Sequence, residues 1–484
     1  TVSSRAMRIV LASVAACGAQ HMMDNPAGSL QGGRYPSPRY VTQKQDNFDP
    51  ANSNRWSQAY YVNDTFWTPG SDAPIFLCVG GEGPPIDGSA VVNSVHCNIA
   101  VEWLQEKKAL MFALEHRYYG CHNMSACPVT EFTGTESLKY LSVDQAIADI
   151  SGFVDAMNGE YKLKASNKWI SWGGSYPGMT AGWARLKLPQ KIHASVASSA
   201  PVHAKLDMAE YNDHVAFAFT VSDNDVGGSP ACRDAIREGH RQIETMFQTP
   251  AGVAQVEEAF GEAKGSLATT TAQMNFAGYG AAQFPAQSND PACQQPGCNI
   301  KSICKIMLDT KNGNELARLA ALRKVQGAST KLKDNSLPDF WFYQTCTEFG
   351  FYQTCEKNSS CMFARIVDVD SQVGPCEQYG ISKAQVEENI ANTNAKYGGL
   401  NPTGPDGKTP GSCVMYPNGE VDPWMTLSVL KAPSAAIPVM MVPGASHHAW
   451  THPSAPTDQE SVVSARKMIR KQVEQFLEQD CTET

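Results

Sequence analysis

The stretch from Lys168 to Leu188 constrains this chain more than any other. An apolar run, Trp169-Ile170-Ser171-Trp172, ends in Gly173-Gly174; Ser175 follows, and Tyr176 to Leu188 is a helix-compatible run rich in Ala and Leu. This pattern predicts a strand, a sharp turn and a helix, with Ser175 at the tip of the turn. Such an elbow lifts a serine hydroxyl clear of a sheet edge and sets it above a helix N-terminus. Free N–H groups and the positive dipole end at that terminus favour developing negative charge. Strand and helix pass so closely that small residues must flank the serine. Gly173 and Gly174 meet that need before it, whereas Pro177 and then Gly178 stand after it, a departure from G-x-S-x-G. Proline suits a first helical turn, where its missing N–H costs nothing. A plain Gly-Gly-Ser connection would look the same locally, so the serine's importance depends on its partners downstream.

Around the elbow, apolar runs alternate with helical periodicities. Pro74–Val79, Ala109–Leu114 and His193–Pro201 read as buried strands, and Ile99–Lys107 and Ser142–Tyr161 as helices. That alternation implies a parallel α/β sheet. Tyr60-Tyr61-Val62 fits an early antiparallel strand, and Asn25–Pro50, rich in Gly, Pro, Ser and Asn, an extended arm. After the first central strand comes Gly80-Gly81-Glu82-Gly83-Pro84-Pro85. A Gly-rich loop here is where hydrolases with an elbow place their second oxyanion donor, because glycine lets a backbone N–H approach a substrate oxygen. A phosphate loop is the rival reading, but its lysine and Ser/Thr are missing. Glu115-His116-Arg117 follows the next strand, and buried charges there need partners or backbone. From about Lys205 to Pro410 the alternation lapses into helical and irregular segments, with helices expected over Gln255–Thr271 and Asn314–Gln326 and a strongly aromatic run at Phe340–Tyr343. The expected organisation is a leader over 1–20, an α/β core over 21–204, an inserted helical cap stapled by disulfides over 205–410, and the rest of the core over 411–484.

Composition narrows the setting. A net charge of −9 without a long basic run argues against nucleic acid and suits a soluble protein and an acidic compartment. Fifteen cysteines without a C-x-x-C metal pattern point to disulfides in an oxidising compartment. Cys121 with Cys127, and Cys355 with Cys361, are spaced for local bridges; the odd count leaves one thiol over, and Cys17 is the candidate. Sequons start at Asn63, Asn123 and Asn358. Met7-Arg8, the apolar run Ile9–Cys17 and Gly18-Ala19-Gln20 together resemble a secretory leader. No other segment reaches the roughly 18 apolar residues of a spanning helix, so no membrane span is expected. Nothing asks for a cofactor or a metal.

Two late strands each run into a polar candidate. Ser412–Tyr416 leads to Asn418-Gly419-Glu420-Val421-Asp422-Pro423-Trp424, and Ile437–Val442 leads to Gly444-Ala445-Ser446-His447-His448. Loops at the C-terminal ends of parallel strands converge where ligands bind. A serine hydroxyl becomes nucleophilic only when a base takes its proton, and that base needs a carboxylate to orient it. Serine, Asp and His in this chain order match the hydrolase arrangement.

The elbow Gly173–Met179, the Glu115–Gly120 segment, the Asn418–Trp424 segment and the Gly444–His448 turn resemble the prolyl carboxypeptidase and dipeptidyl peptidase II family. The resemblance covers most of the chain. It implies an α/β-hydrolase core under a helical cap, in secreted or lysosomal/vacuolar serine peptidases that cleave after proline. By position it makes Ser175 the nucleophile, Asp422 the orienter and His447 the base, although spacing alone leaves His448 open. It places Tyr176, Met179 and Trp424 along the proline pocket, and oxyanion donors at the Tyr176 N–H and the Gly81–Glu82 region. The expected function is a post-proline serine exopeptidase acting on peptides with proline near a terminus, with carboxypeptidase and dipeptidyl-peptidase action level. A proline-specific endopeptidase and an inactive binding protein on a hydrolase scaffold are the alternatives, and a homodimer is left open. One departure stands out: Ala449-Trp450-Thr451-His452 replaces the family's usual Leu-Asp-Leu-Arg. His452 at the arginine position is expected to make activity more sensitive to pH.

Overall fold

The computed structural model describes residues 35–223, 225–327 and 337–481; the expected leader and Cys17 lie outside them. Eight strands form the main sheet: β1 (Arg39–Lys44), β2 (Arg55–Asn63), β3 (Ile75–Val79), β4 (Leu110–Leu114), β5 (Trp169–Gly174), β6 (Ala194–Ser198), β9 (Val414–Gly419) and β10 (Val439–Val442). Their order is β1-β2-β4-β3-β5-β6-β9-β10. Only the β1–β2 and β2–β4 pairings are antiparallel. This is the α/β-hydrolase sheet. Strands β3 to β6 are buried at every residue, as expected of continuous apolar runs covered on both faces.

Alternate residues of each strand serve opposite layers. Phe76 and Trp172 pack with Trp103 of helix α1 (Asn98–Lys107) and with Ile469 and Phe476 of the last helix, α4 (Glu460–Glu478). Ile75 and Leu77 face Ile150 and Phe153 of α2 (Val143–Glu160) and the layer holding Trp183 of α3 (Tyr176–Lys187). The supposed arm corrects to a strand over its second half. In β1, Val41 and Gln43 point inward while their neighbours are exposed. Gln43 Nε2 bonds Gln58 Oε1 and the Asp149 carbonyl, each at 2.8 Å, so an inward amide hides the apolar alternation.

Between β6 and β9 the chain is mainly helical, with segments including Ala209–Ala218, Pro230–Met246, Ile300–Met307, Glu315–Gln326 and Lys383–Tyr397. A small parallel pair, β7 (Lys205–Asp207) with β8 (Gly350–Tyr352), ties its start to a later segment. Much of the insertion shares the main core, since Phe219, Ile236, Phe276, Ile300 and Phe349 belong to the same apolar cluster as Leu77 and Trp183, and a smaller cluster of its own holds Ala204, Tyr352, Val373, Val386 and Ile390. The helix expected over Gln255–Thr271 stops at Phe260, where Gly261 caps it in the left-handed region at φ 69°; a short helix restarts at Thr270.

Disulfides Cys232–Cys304, Cys293–Cys298, Cys346–Cys376 and Cys355–Cys361 staple the insertion, and Cys78–Cys97, Cys121–Cys127 and Cys413–Cys481 the rest. Both expected local bridges are among them.

Arg117 and Glu115 find separate partners. Arg117 makes a two-pronged pair with Asp149 of α2, both contacts at 2.7 Å and both side chains fully covered. Its Nη1 donates to the carbonyls of Gln45 and Tyr140. Glu115 accepts the backbone N–H groups of Ile86 and His116. Removing one member of a buried pair leaves the other uncompensated. Asp149→Asn is therefore expected to lower stability by about 3–5 kcal/mol, measured by urea unfolding; a loss below about 1 kcal/mol would mean that the Arg117 environment is already satisfied by its carbonyls.

Candidate active site

Ser175 sits between β5 and α3 with φ 65° and ψ −134°. A side chain rarely tolerates this backbone, and the surrounding contacts hold it there. The Ser175 N–H donates to the Ser198 carbonyl at 2.9 Å, and the Ser175 carbonyl accepts from Met179 N at 3.0 Å. The glycines are required by proximity. A Cβ on Gly173 would lie 2.2 Å from the Pro177 carbonyl oxygen, on Gly174 2.9 Å from the His448 ring, and on Gly178 2.9 Å from the Ser198 carbonyl oxygen. The proline that breaks the motif is also explained: its ring packs on Gly81, where a Cβ would come within 2.3 Å of Pro177 Cγ. Elbow and Gly-rich loop are thus fitted to one another.

Asp422 and His447 meet at the ends of β9 and β10. Asp422 is fully buried; its Oδ2 bonds His447 Nδ1 at 2.8 Å and its Oδ1 accepts from Trp424 N at 2.9 Å. The His447 N–H donates to the Gln287 carbonyl at 3.0 Å, a contact from the insertion. The other ring nitrogen, Nε2, is buried without a hydrogen-bond partner. His448 goes elsewhere: its N–H donates to Ser199 Oγ at 2.9 Å, and its Nδ1 lies 3.1 Å from Thr451 Oγ1. Geometry therefore separates two histidines that spacing could not. Trp450, where the resemblance has an acid, donates from its indole to Ser198 Oγ at 2.9 Å.

On the Gly-rich loop the Glu82 carboxyl, on which the Ser175 side chain acts, has its Oε2 buried without a partner. Burial pushes Glu82 up to about 8. Burial likewise raises Glu115 to about 8 and Glu348 to about 7, and holds His96, His116 and His452 down at about 4. His96 and Arg466 add to the effect on His452. That residue is therefore neutral from mild acid to neutrality, and the expectation that it sharpens the pH response in this range is corrected.

Tyr176 and Trp424 stand beside the elbow and the Asp422 turn. The Tyr176 hydroxyl lies 2.8 Å from His116 Nε2 and accepts from Gln344 Nε2 at 3.0 Å. Trp424 Nε1 donates to Gln287 Oε1 at 3.0 Å. Met179 is fully buried in the main core. Sequence reasoning missed the insertion's share: Trp341 and Phe349 lie 5.5 and 5.6 Å from the Tyr176 ring, and Phe351 5.4 Å from Trp424. The aromatic run at 340–343 was the available signal, but nothing local says which wall it faces.

A strained serine, a histidine hydrogen-bonded to a buried carboxylate, and N–H groups at a helix start together suit acyl transfer. Residues 43–469 match the family described as Serine carboxypeptidase S28. The chain belongs to this family of serine peptidases. It is 33% identical to the thymus-specific serine protease of Mus musculus over 92% of this chain and 88% of that protein. Against the lysosomal Pro-X carboxypeptidase of Bos taurus it is 24% identical over 91% of this chain and 87% of that protein. Among solved structures, a lipase in its open form aligns over 91% of this chain and 100% of that one at 10% identity, with a TM-score of 0.36.

The buried groups also fix how stability follows pH. A histidine held at about 4 rather than 6.5 stabilises fully above 6.5, and that contribution fades as pH falls from 6.5 to about 4. A carboxyl raised from 4.5 to 7 or 8 stabilises fully below 4.5, and its contribution fades as pH rises to about 8. Between 4.5 and 6.5 the two sets oppose; above 6.5 only the carboxyls act. The thermal midpoint is expected to fall more from pH 6.5 to 8 than from pH 5 to 6.5, and a midpoint that rises across the upper interval would overturn this assignment.

Proposed function

We propose that this chain is a secreted or lysosomal serine exopeptidase that cleaves peptides after proline, with Ser175 as nucleophile, His447 as general base and Asp422 as its orienter. The observation that carries the reading is the 2.8 Å bond between buried Asp422 and His447 Nδ1, which leaves Nε2 unpaired in a site shared with a strained serine. In the reaction Ser175 Oγ attacks the carbonyl carbon of the scissile bond while His447 Nε2 takes the hydroxyl proton. Negative charge collects on the carbonyl oxygen, where the backbone N–H of Tyr176, at the start of α3, and one from Gly81 or Glu82 receive it. Collapse expels the amine, which takes the proton from His447. Water, deprotonated by the same nitrogen, then hydrolyses the acyl-enzyme and restores Ser175.

Proline preference follows from the aromatic walls. A pyrrolidine ring has no N–H to satisfy, so Tyr176 and Trp424, with Met179 packed beneath, offer it apolar surface at no polar cost. The 205–410 segment acts as a cap, since Gln287 and Gln344 reach the loops that hold the reacting groups. Seven disulfides support an oxidising compartment. No helix among the described residues is long and apolar enough to cross a membrane.

The test uses matched single-proline peptides, free or blocked at each terminus, followed by mass spectrometry at acidic and neutral pH. Cleavage after proline only when one terminus is free is expected, and the terminus that matters separates carboxypeptidase from dipeptidyl-peptidase action. Ser175→Ala is expected to abolish turnover, and Asp422→Asn to lower kcat by ~10⁴-fold through loss of the correct histidine tautomer. Cleavage with both ends blocked would make the enzyme an endopeptidase. No cleavage, together with no fluorophosphonate labelling of Ser175, would leave a binding protein on a hydrolase scaffold.

A further inference from the structure

A chain of covered hydrogen bonds leads from the elbow into the insertion, and its two ends dictate its direction. His116 Nδ1 lies 2.8 Å from the Arg117 carbonyl, which can only accept, so Nδ1 carries the ring proton. Neutral His116 then presents a bare Nε2, and the Tyr176 hydroxyl donates to it at 2.8 Å. The Tyr176 oxygen accepts from Gln344 Nε2 at 3.0 Å. The Tyr119 hydroxyl donates to Gln344 Oε1 at 2.6 Å, which fixes the way this amide faces. The second hydrogen on Gln344 Nε2 goes to Glu348 Oε2 at 2.9 Å. Glu348 Oε1 accepts from the Val143 N–H, at the start of α2, at 2.9 Å.

Both oxygens of Glu348 therefore receive donors, an arrangement that fits a carboxylate and gives an acid proton no acceptor among these partners. Burial works the other way and raises Glu348 to about 7. Ionisation costs the fold as a whole, because the charge is covered, yet it strengthens the bonds that the carboxylate accepts. The charged neighbours do not settle this competition. Asp144 on α2 opposes the Glu348 charge and Lys396 on the Lys383–Tyr397 helix favours it, but these two pair with one another. The Tyr397 hydroxyl donates to Asp144 Oδ1 at 2.5 Å. Tyr119, Tyr176 and Tyr343 are neutral neighbours that feel the Glu348 charge.

Tyr176 directly follows Ser175, whose φ of 65° persists only while its surroundings hold it. The Tyr176 N–H is also the proposed oxyanion donor. Its buried side chain is gripped at the hydroxyl from two sides, by His116 next to β4 and by Gln344 from the insertion. When Glu348 takes a proton, Gln344 loses a charged acceptor and the grip from the insertion weakens.

We propose that Glu348 is a positioning residue whose ionisation sets how firmly Tyr176 is held, through Gln344, so that the elbow is better ordered for acyl transfer at neutral pH than in mild acid. The assignment rests on the proposed roles of Ser175 and the Tyr176 N–H. A neutral amide at this position has a single oxygen for two donors, so Glu348→Gln reproduces the protonated form at every pH.

The test measures the rate at which a neutral fluorophosphonate labels Ser175 between pH 5.5 and 8.5 in the wild type, Glu348→Gln and Tyr176→Phe. Titration of the triad is common to all three proteins and cancels in the ratio of rates. A charged hydrogen bond is roughly twice as strong as a neutral one, so the ratio of wild type to E348Q is expected to stay within about twofold at pH 5.5 and to reach ~5-fold by pH 8.5. Y176F, which cuts the chain beyond Gln344, is expected to follow the E348Q profile. Infrared difference spectra, wild type minus E348Q, are expected to show a protonated carboxyl band in mild acid that disappears as pH rises through about 7. A ratio constant across pH would make Glu348 a structural residue only and overturn the proposal. A pH step that survives in Y176F, or a carboxyl band that does not titrate in this interval, would overturn it as well. If Ser175 labels in none of the proteins, the proposed function fails by that result, and hydrogen exchange of Tyr176–Lys187 decides the role of Glu348. Exchange faster in E348Q than in the wild type at pH 8.5 but equal at pH 5.5 upholds it; the same ratio at both values overturns it.

Discussion

The close passage of β5 against α3 is the constraint on which the site depends. A serine at φ 65° is tolerated because the backbone on either side is locked, with its N–H on the Ser198 carbonyl and its own carbonyl accepting from Met179. The same compression fixes the neighbours. Gly174 has no Cβ because the His448 ring occupies that space, and Gly81 has none because the Pro177 ring does. Moving the elbow would therefore displace the His447–His448 loop and the Gly-rich loop together. Ser198, which holds the Ser175 N–H, is itself held by the Trp450 indole, so the tryptophan that replaces an acid in the resembled motif braces the elbow from behind.

A second layer of support comes from the insertion. Gln287 takes the His447 N–H on its carbonyl and the Trp424 indole on its side chain, which ties the loops carrying His447 and Asp422 to one residue. Gln344 does the same on the other side, donating to the Tyr176 hydroxyl and accepting from the Tyr119 hydroxyl at 2.6 Å. Buried amides satisfied on both ends set geometry rather than add much net stability. The shared apolar cluster has the same consequence: an insertion packed largely into the main core cannot shift far without exposing surface that the sheet also needs covered.

How much of this was legible follows from where each signal lies. The elbow, the strand ends carrying Asp422 and His447, and the bridges Cys121–Cys127 and Cys355–Cys361 are local in sequence, and local pattern found them. The pairing of Arg117 with Asp149 was not found, because the two lie on different elements and their spacing carries no period. β1 was hidden for another reason: its inward Gln43 satisfies a buried amide and carbonyl rather than packing as an apolar residue, so alternation of hydrophobicity did not mark it. Trp341, Phe349, Gln287 and Gln344 belong to the site only through the fold of an irregular, disulfide-stapled segment. The choice between His447 and His448 needed the direction of two rings, which one-residue spacing cannot encode.

Electrostatics ties these layers together. The site combines carboxyls pushed up by burial with histidines pushed down by it, so in mild acid both sets stay largely uncharged and few charges are left uncompensated indoors. Asp422 is different, because its two oxygens are satisfied by His447 and by the Trp424 N–H. One acid is thus held by two donors, and another, Glu82, has an oxygen buried without a partner. Two carboxyls of one neighbourhood are thus set apart by their hydrogen bonding, the pattern by which environment separates the behaviour of like groups.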